Sequence, residues 1–366
     1  MATENKHTIV LDVMGADISE LNIITGGVEA ARCLEDSLEL ILVGKQDKIE
    51  NALKTFSDLP SNITVQHAET VIPMKLSATN GVKMRDSSVS VGLKLLKEKK
   101  AQGFVSPGNT GAVMATALLT LGRIEGVSRP AITAIFPTST GRQSVLLDVG
   151  ANTDCKPHHI SQFAVMGSVY YSIVFKHEHP RVGLISIGEE KSKGNELIFN
   201  SLKLLKDSNI NFIGNIEGRD VLNGTVDVAV TDGFTGNILL KFGESIKPLL
   251  VNSIQRQIQT NIFSRMGVVL LLPFMKRMRN MFAYERWGGA PLLGVDGNVI
   301  ICHGSSNSIA IRNAIKVAHE MTAKGIRQRI HDELITNHFG QNNGSKDKRQ
   351  NNRDGIVYTS SSNDQC

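Results

Sequence analysis

Aromatic side chains are scarce in this 366-residue sequence, 5% in all with Trp287 the single tryptophan, so little is available to stack unpaired nucleic-acid bases. Cysteine is scarce too. Cys33, Cys155, Cys302 and Cys366 lie far apart and form no C-x-x-C pair, which argues against a zinc site or a disulfide framework and makes a reducing cytosol the expected compartment. The uncharged apolar run Met266–Met275 holds ten residues. That is half of the roughly 20 a membrane-spanning helix needs. The segment Met1–His7 is polar and short and leads straight into Thr8–Asp12, so no secretory leader is expected. The loop after that first apolar run does not match G-x-G-x-x-G, and a dinucleotide fingerprint is missing there.

What is present fits a folded protein with a sizeable core: 41% hydrophobic and 20% charged residues. The net charge of +5 is localised. Arg256, Arg265, Lys276, Arg277, Arg279 and Arg286 lie between Val251 and Arg286 against Glu285 alone, while the rest of the chain is nearly balanced. A general nucleic-acid binder is therefore not expected.

Three times a short apolar run stops at a loop of Gly, Asn and Asp and resumes with helical spacing: Ser106–Gly111, Asp148–Asn152 and Thr231–Asn237. A strand that feeds a helix through such a loop presents unpaired N–H groups at the positive end of the helix dipole, and Gly lets a ligand approach them. Three such loops suggest a shared anionic group of the phosphate type.

Apolar runs at 8–13, 38–43, 63–66, 103–105, 131–136, 145–147, 182–187, 211–213, 226–230 and 299–302 read as strands. They alternate with helical spacing at about 19–35, 46–56, 87–99, 111–121, 159–175, 193–205, 236–259 and 306–321. This alternation predicts a Rossmann-like α/β fold, with a largely parallel sheet and helices on both faces, that gathers ligands beyond the carboxyl ends of the strands. From about Asn337 the sequence turns polar, so residues 1–335 are expected to form the catalytic unit and 336–366 a disordered tail.

Several residues could do chemistry. Lys193, beside Gly194, is the best phosphate cation, because the first turn of a helix is a poor place for a purely structural lysine. Arg129 and Arg219 read equally as phosphate ligands or as partners in loop ion pairs. Asn109, Thr110, Asn152 and Asn237 could donate to phosphate or an oxyanion, or cap helices. Asp12, Asp148 and Asp232, each after an apolar run, could hold loops through backbone hydrogen bonds or orient a protonated phosphate. His303 could protonate a leaving group or be structural. His158-His159 lacks the companions of a metal site, and no metal or cofactor is expected.

Read in order, the motifs form a set. They are Leu11–Asp17, Ser106–Ala112, Ser128–Pro130, Leu147–Asn152, Gly188–Asn195, Asn211–Arg219, Thr231–Asn237, Gly288–Gly294 and His303–Ser306. Together they resemble the bacterial phosphate acyltransferases (the PlsX family) from Ile9 to Thr322. Two departures, Ala16 for a usual Gly and Lys83-Met84-Arg85 for a usual basic pair, leave Asp17 and Asp86 in place.

The resemblance implies a fold of the phosphotransacetylase/isopropylmalate dehydrogenase type with a protruding helical hairpin at about 250–285. It also implies transfer of an acyl chain from acyl carrier protein to inorganic phosphate for phospholipid synthesis. On that reading Lys193, Asp232, Asn237 and His303 are catalytic. Asp12, Gly15, Asp17, Asn109, Thr110, Gly111, Arg129, Asp148, Asn152, Glu189, Gly194, Arg219 and Gly233 bind substrate. The chemistry asks for positioning and oxyanion donors more than for a strong base, since phosphate is already anionic and a thiolate leaves readily.

The basic apolar segment has two readings. Gly267 and Pro273 suggest a hairpin whose tip carries Val269, Leu271 and Leu272 between Arg265, Lys276, Arg277 and Arg279. It is either a core or dimer element, or an anchor for anionic membrane that also receives the acidic carrier protein. A cytoplasmic enzyme held peripherally at the inner face of the membrane, a homodimer, and a membrane glycerol-3-phosphate acyltransferase as acceptor of the product follow from the resemblance. The alternatives are a phosphotransacetylase-like enzyme taking short acyl-CoA and a non-catalytic sensing module on the same fold.

Overall fold

A computed structural model describes residues 6–258, 285 and 287–337. The strands are β1 (His7–Asp12), β2 (Leu38–Gly44), β3 (Ile63–His67), β4 (Gly103–Ser106), β5 (Ala131–Pro137), β6 (Gln143–Leu147), β7 (Val182–Ile185), β8 (Phe212–Ile216), β9 (Val228–Val230), β10 (Ala290–Leu293) and β11 (Asn298–Ile301). The helices are α1 (Glu20–Cys33), α2 (Gln46–Leu53), α3 (Ala78–Gly81), α4 (Ser88–Lys97), α5 (Thr110–Leu121), α6 (Pro157–Phe175), α7 (Glu196–Lys206), α8 (Gly218–Asn223), α9 (Gly233–Ile258), α10 (Ser308–Ala323) and α11 (Ile326–Thr336).

The strands form one sheet in the order β3-β2-β1-β4-β11-β10-β5-β6-β9-β7-β8. Two parallel blocks make it up. In one, β3, β2, β1, β4 and β11 run together; in the other, β6, β9, β7 and β8 do. Between them the pairs β11–β10, β10–β5 and β5–β6 are all antiparallel. Three reversals leave the second block running opposite to the first.

Strands covered on both faces read as unbroken apolar runs, and β1 shows why. Ile9 and Leu11 pack in the core that holds Ile23, Ile24, Ile311 and Ile315 of α1 and α10. Val10 points the other way, into the core with Val89, Leu93 and Val113 of α4 and α5. In the second block α6 supplies Ile160, Phe163 and Val165 to the first of these cores, against Leu147, Leu184 and Val230.

The largely parallel sheet with helices on both faces is as expected. Its central antiparallel run was not anticipated, nor were β10, α3, α8 and α11. Helix α11 runs to Thr336, and the buried Asn337 accepts a hydrogen bond from the Asn209 N–H at 2.7 Å. The expected hairpin tip and the polar tail beyond Asn337 lie outside the described residues. Among the described residues, no helix is long and apolar enough to cross a membrane.

Candidate active site

The strand-end loops fall into two groups, because the two blocks end in opposite senses. Loops after β1, β4 and β11 carry Asp12, Gly15, Asp17, Asn109, Thr110, Gly111 and His303. Loops after β6, β9, β7 and β8 carry Asp148, Asn152, Asp232, Gly233, Asn237, Glu189, Lys193, Gly194 and Arg219, and Arg129 joins them from the start of β5. Helix α5 measures the gap. It begins at Thr110 in the first group, and Leu118 and Gly122 at its far end share a cavity of about 300 Å³ with Arg129 and Pro130. Twelve helical residues span about 18 Å. Within one chain the three glycine-rich loops therefore do not meet around a single anion: Ser106–Gly111 belongs to one group, Asp148–Asn152 and Thr231–Asn237 to the other.

In the first group the fully buried Asp12 is the anchor. It accepts from the Ser106 hydroxyl at 2.7 Å and from the Met14 N–H at 3.0 Å. Burial pushes its carboxyl up to about 6, with the Ser106 and Ser88 hydroxyls and the Met14 N–H pulling the other way. Ser106 in turn accepts from the Gly108 N–H at 3.1 Å. Its role was not read from the sequence; the visible signal was its place at the head of the Ser-x-Gly-Asn-Thr-Gly motif.

Asn109 is occupied. Its carbonyl caps α5 by accepting from the Ala112 N–H, while its amide donates to the carbonyls of Pro73, Met74 and Leu76 at 2.8–3.3 Å. It holds a neighbouring segment rather than facing a ligand. His303 is exposed, and its Nδ1 accepts from the Ser305 N–H at 3.2 Å, which leaves the hydrogen of a neutral ring on Nε2. The Asp17 N–H donates to the Gly304 carbonyl at 2.9 Å, joining the first and last loops of this group.

In the second group Asp148 holds the loop that follows it. It accepts from the backbone N–H groups of Ile132, Gly150, Ala151 and Asn152 and from the Asn152 amide, all within 2.7–3.2 Å. Burial raises its pKa and these donors oppose the rise. The second amide hydrogen of Asn152 goes to the Pro130 carbonyl at 2.7 Å, so this side chain too is structural. Asp232 caps α9, accepting from the Thr235 N–H at 2.9 Å and the Thr235 hydroxyl at 2.8 Å. Gly233 donates its N–H to the Asn152 carbonyl at 2.7 Å, which locks the two loops together.

Three side chains of this group remain unoccupied by described residues. Lys193 is exposed and forms no ion pair; it stands two residues before Asn195, the cap of α7, rather than in the first helical turn. Asn237 is exposed and lies beside Gly150 with its amide unbonded. Arg129 is exposed without an ion pair, near enough to Cys155 and His159 to oppose a positive charge on the ring and favour the thiolate. Arg219, by contrast, pairs with Glu217 at 3.0 Å and Glu189 at 3.6 Å. Arg219 and Glu189 are largely exposed and Glu217 is partly so, which keeps the network weak and open to exchange for another anion.

The two described cysteines beside these loops, Cys155 and Cys302, are poor nucleophiles. Burial, and then the charge of Asp148, pushes the Cys155 thiol up to about 12, and burial alone does the same to Cys302. Neither is ionised near neutral pH. His159 accepts from the Lys156 N–H through Nδ1, and burial holds it down at about 4, so it is a neutral helix cap. Among the described residues no group of three or more His, Cys, Asp or Glu side chains is placed to hold a metal.

Residues 7–329 match the family model described as fatty acid synthesis protein. The chain is 46% identical over 320 residues to a phosphate acyltransferase of Moorella thermoacetica, covering 87% of this chain and 93% of the relative. It is 44% identical over 328 residues to one of Dictyoglomus turgidum, covering 89% and 97%. In fold it is similar to a phosphotransacetylase from Streptococcus pyogenes, with a TM-score of 0.61 and 17% identity over 88% of this chain and 96% of that one. A mixed α/β sheet with phosphate-type loops at its strand ends, and these relatives over nearly nine-tenths of its length, place the chain in the phosphate acyltransferase family of fatty acid synthesis.

Proposed function

We propose that this acyltransferase moves a fatty acyl group from the thiol of acyl carrier protein to inorganic phosphate, and that the second group of loops holds the phosphate. The observation that carries this reading is the set of unoccupied donors, Lys193, Arg129 and Asn237, on loops fixed by Asp148 and Asp232. A phosphate oxygen attacks the thioester carbon, forming a C–O bond as the carbonyl electron pair moves onto oxygen. That pair then returns, the C–S bond breaks, and the thiolate leaves and takes a proton from solvent. Acyl phosphate and free thiol result. The high thiol pKa values of Cys155 and Cys302 favour direct attack over an acyl-enzyme. Lys193→Ala is expected to raise the phosphate KM or lower kcat at least about tenfold with the fold unchanged, kcat bearing more of the loss if the contact forms in the transition state. Normal phosphate kinetics in a folded variant would remove Lys193 from the site.

We propose in addition that the enzyme is a homodimer. Phe234, Ile238, Phe242 and Leu249 leave an apolar stripe along α9 that is 52–67% exposed, a face that suits a second copy. The basic apolar segment that follows α9 is proposed to dock on the anionic inner face of the cell membrane, in reach of the carrier protein and of a membrane glycerol-3-phosphate acyltransferase that takes the product. Replacing Leu271 and Leu272 with aspartate should release the protein from anionic vesicles and leave turnover in solution largely intact. Neutralising Arg277 and Arg279 should instead make binding more easily displaced by salt, since exposed charge is screened within roughly 10 Å at 0.1 M. Vesicle binding like the parent's in both variants would assign the segment to the core or to the dimer contact.

A further inference from the structure

Lys193 is exposed, yet the backbone that carries it is tied down. Its N–H donates to the Glu190 carbonyl at 2.9 Å, which closes a turn. Its carbonyl accepts from two side chains, the Ser186 hydroxyl at 3.1 Å and the Asn215 amide at 3.2 Å. The same amide nitrogen donates to the Glu190 carbonyl, also at 3.2 Å. One side chain on β8 thus grips both ends of the turn that presents the lysine.

Burial sets this grip apart from the other contact at the same place. Asn215 is 7% exposed and pairs in the sheet with Leu184 of β7. Arg219, four residues on, reaches the loop only through the exposed Glu189, a contact of little worth. The amide orientation is fixed by chemistry, because a flipped group would turn its oxygen onto two carbonyl oxygens. As it stands, the Asn215 Oδ1 has no donor among the described residues. A buried acceptor left unmatched is unfavourable, so the amide gives the strand nothing that an aliphatic side chain would lack. What it adds is donors to the turn.

The lysine stem has a fixed start as well. A methyl group on Gly188 would meet the Lys193 Cγ at 2.9 Å and its Cβ at 3.4 Å, so the first carbons of the stem lie across Gly188.

We propose that Asn215 is a positioning residue for acyl transfer, one that acts through Lys193 by holding the 190–193 turn so that the ammonium meets phosphate. The proposal rests on the phosphate reading above and adds what aims the lysine. A flexible four-carbon stem on a loose turn would carry its charge to many places. Fixing the turn removes much of that freedom before phosphate arrives.

A double-variant cycle tests this. Asn215→Ala removes the amide donors, and kcat/KM for phosphate should fall at least about fivefold; in the Lys193→Ala background the same change should cost less than about twofold, because the group it aims is gone. Equal losses in the two backgrounds overturn the proposal. Should Asn215→Ala fail to fold, Asn215→Asp keeps the shape. Its carboxylate repels both carbonyls, whereas its protonated form donates to one of them. The rate of Asn215→Asp relative to the parent should therefore rise as pH falls, and the rise should vanish in the Lys193→Ala background. A ratio that is flat with pH, or that rises equally without the lysine, overturns the proposal too.

Normal phosphate kinetics for Lys193→Ala alone would instead remove the phosphate reading. Hydrogen exchange then still decides the grip itself. Asn215→Ala or Asn215→Asp should speed exchange of the Lys193 N–H at least about tenfold, and an unchanged rate overturns it.

Discussion

Gly236→Ala is expected to abolish phosphate-dependent acyl transfer and to lower the unfolding free energy by roughly 3 kcal/mol, the upper end for overpacking a tight site. A methyl group at this position overlaps the carbonyl oxygen of Asp148, which is backbone and cannot rotate away. The start of α9 would have to lift from the Asp148–Asn152 loop, and the Gly233 N–H bond to the Asn152 carbonyl would be lost with it. Both proposed phosphate loops would then be displaced at once. Gly111→Ala is the internal control for stability. An added methyl there meets Ala78 at an ordinary 3.5 Å, within a helix that favours alanine. Equal denaturant midpoints for the two variants would show that the loop junction is not tight.

The second large effect is one of pH. Asp12 titrates near 3.8 in the unfolded chain and at about 6 in the folded one, because burial disfavours its charge. Between these values the native state keeps a proton that the unfolded state has released. Stability due to this group is therefore complete below the unfolded pKa and is lost as pH rises through the folded one, a difference of about 3 kcal/mol. Asp12→Asn keeps the shape and removes the titration. Urea unfolding of parent and variant on either side of this window should show the parent losing ground to the variant as pH rises. Parallel pH profiles would mean that Asp12 is ionised throughout.

Much of the sheet was legible because strands buried on both faces cannot hide. Ile9–Leu11 and Val182–Ile185 are unbroken apolar runs in the sequence and fully or nearly fully buried in the fold. Strand β10 escaped for an equally physical reason. It has four residues, is flanked by glycines and contains Pro291, which supplies no backbone donor and ordinarily argues against an internal strand. Without β10, the reversal between the blocks could not be foreseen, and neither could the division of the loops.

The site residues were legible as types more than as roles. Asparagine after a strand offers the same atoms to a helix cap and to a phosphate, so nothing local separates Asn109 and Asn152, which are occupied, from Asn237, which is not. Asp12 and Asp148 likewise differ from surface aspartates only through burial that tertiary packing creates. Lys193 was singled out as a lysine in the first turn of a helix, and the structure places it two residues before the cap of α7, exposed beside Gly194.

Strand β10 has one more consequence, for the order in which the protein is built. Among the described residues it and β11 are the strands made last, yet they sit mid-sheet, filling the place between β4 and β5. Until residue 301 has been added, the nascent chain carries two unfinished half-sheets, each with a bare inner edge open to pairing. Any chain that terminates before Ala290 keeps both edges for good, and self-association of such fragments is the expected fate. The late hairpin thus completes the sheet and decides whether the nascent protein stays free of its neighbours.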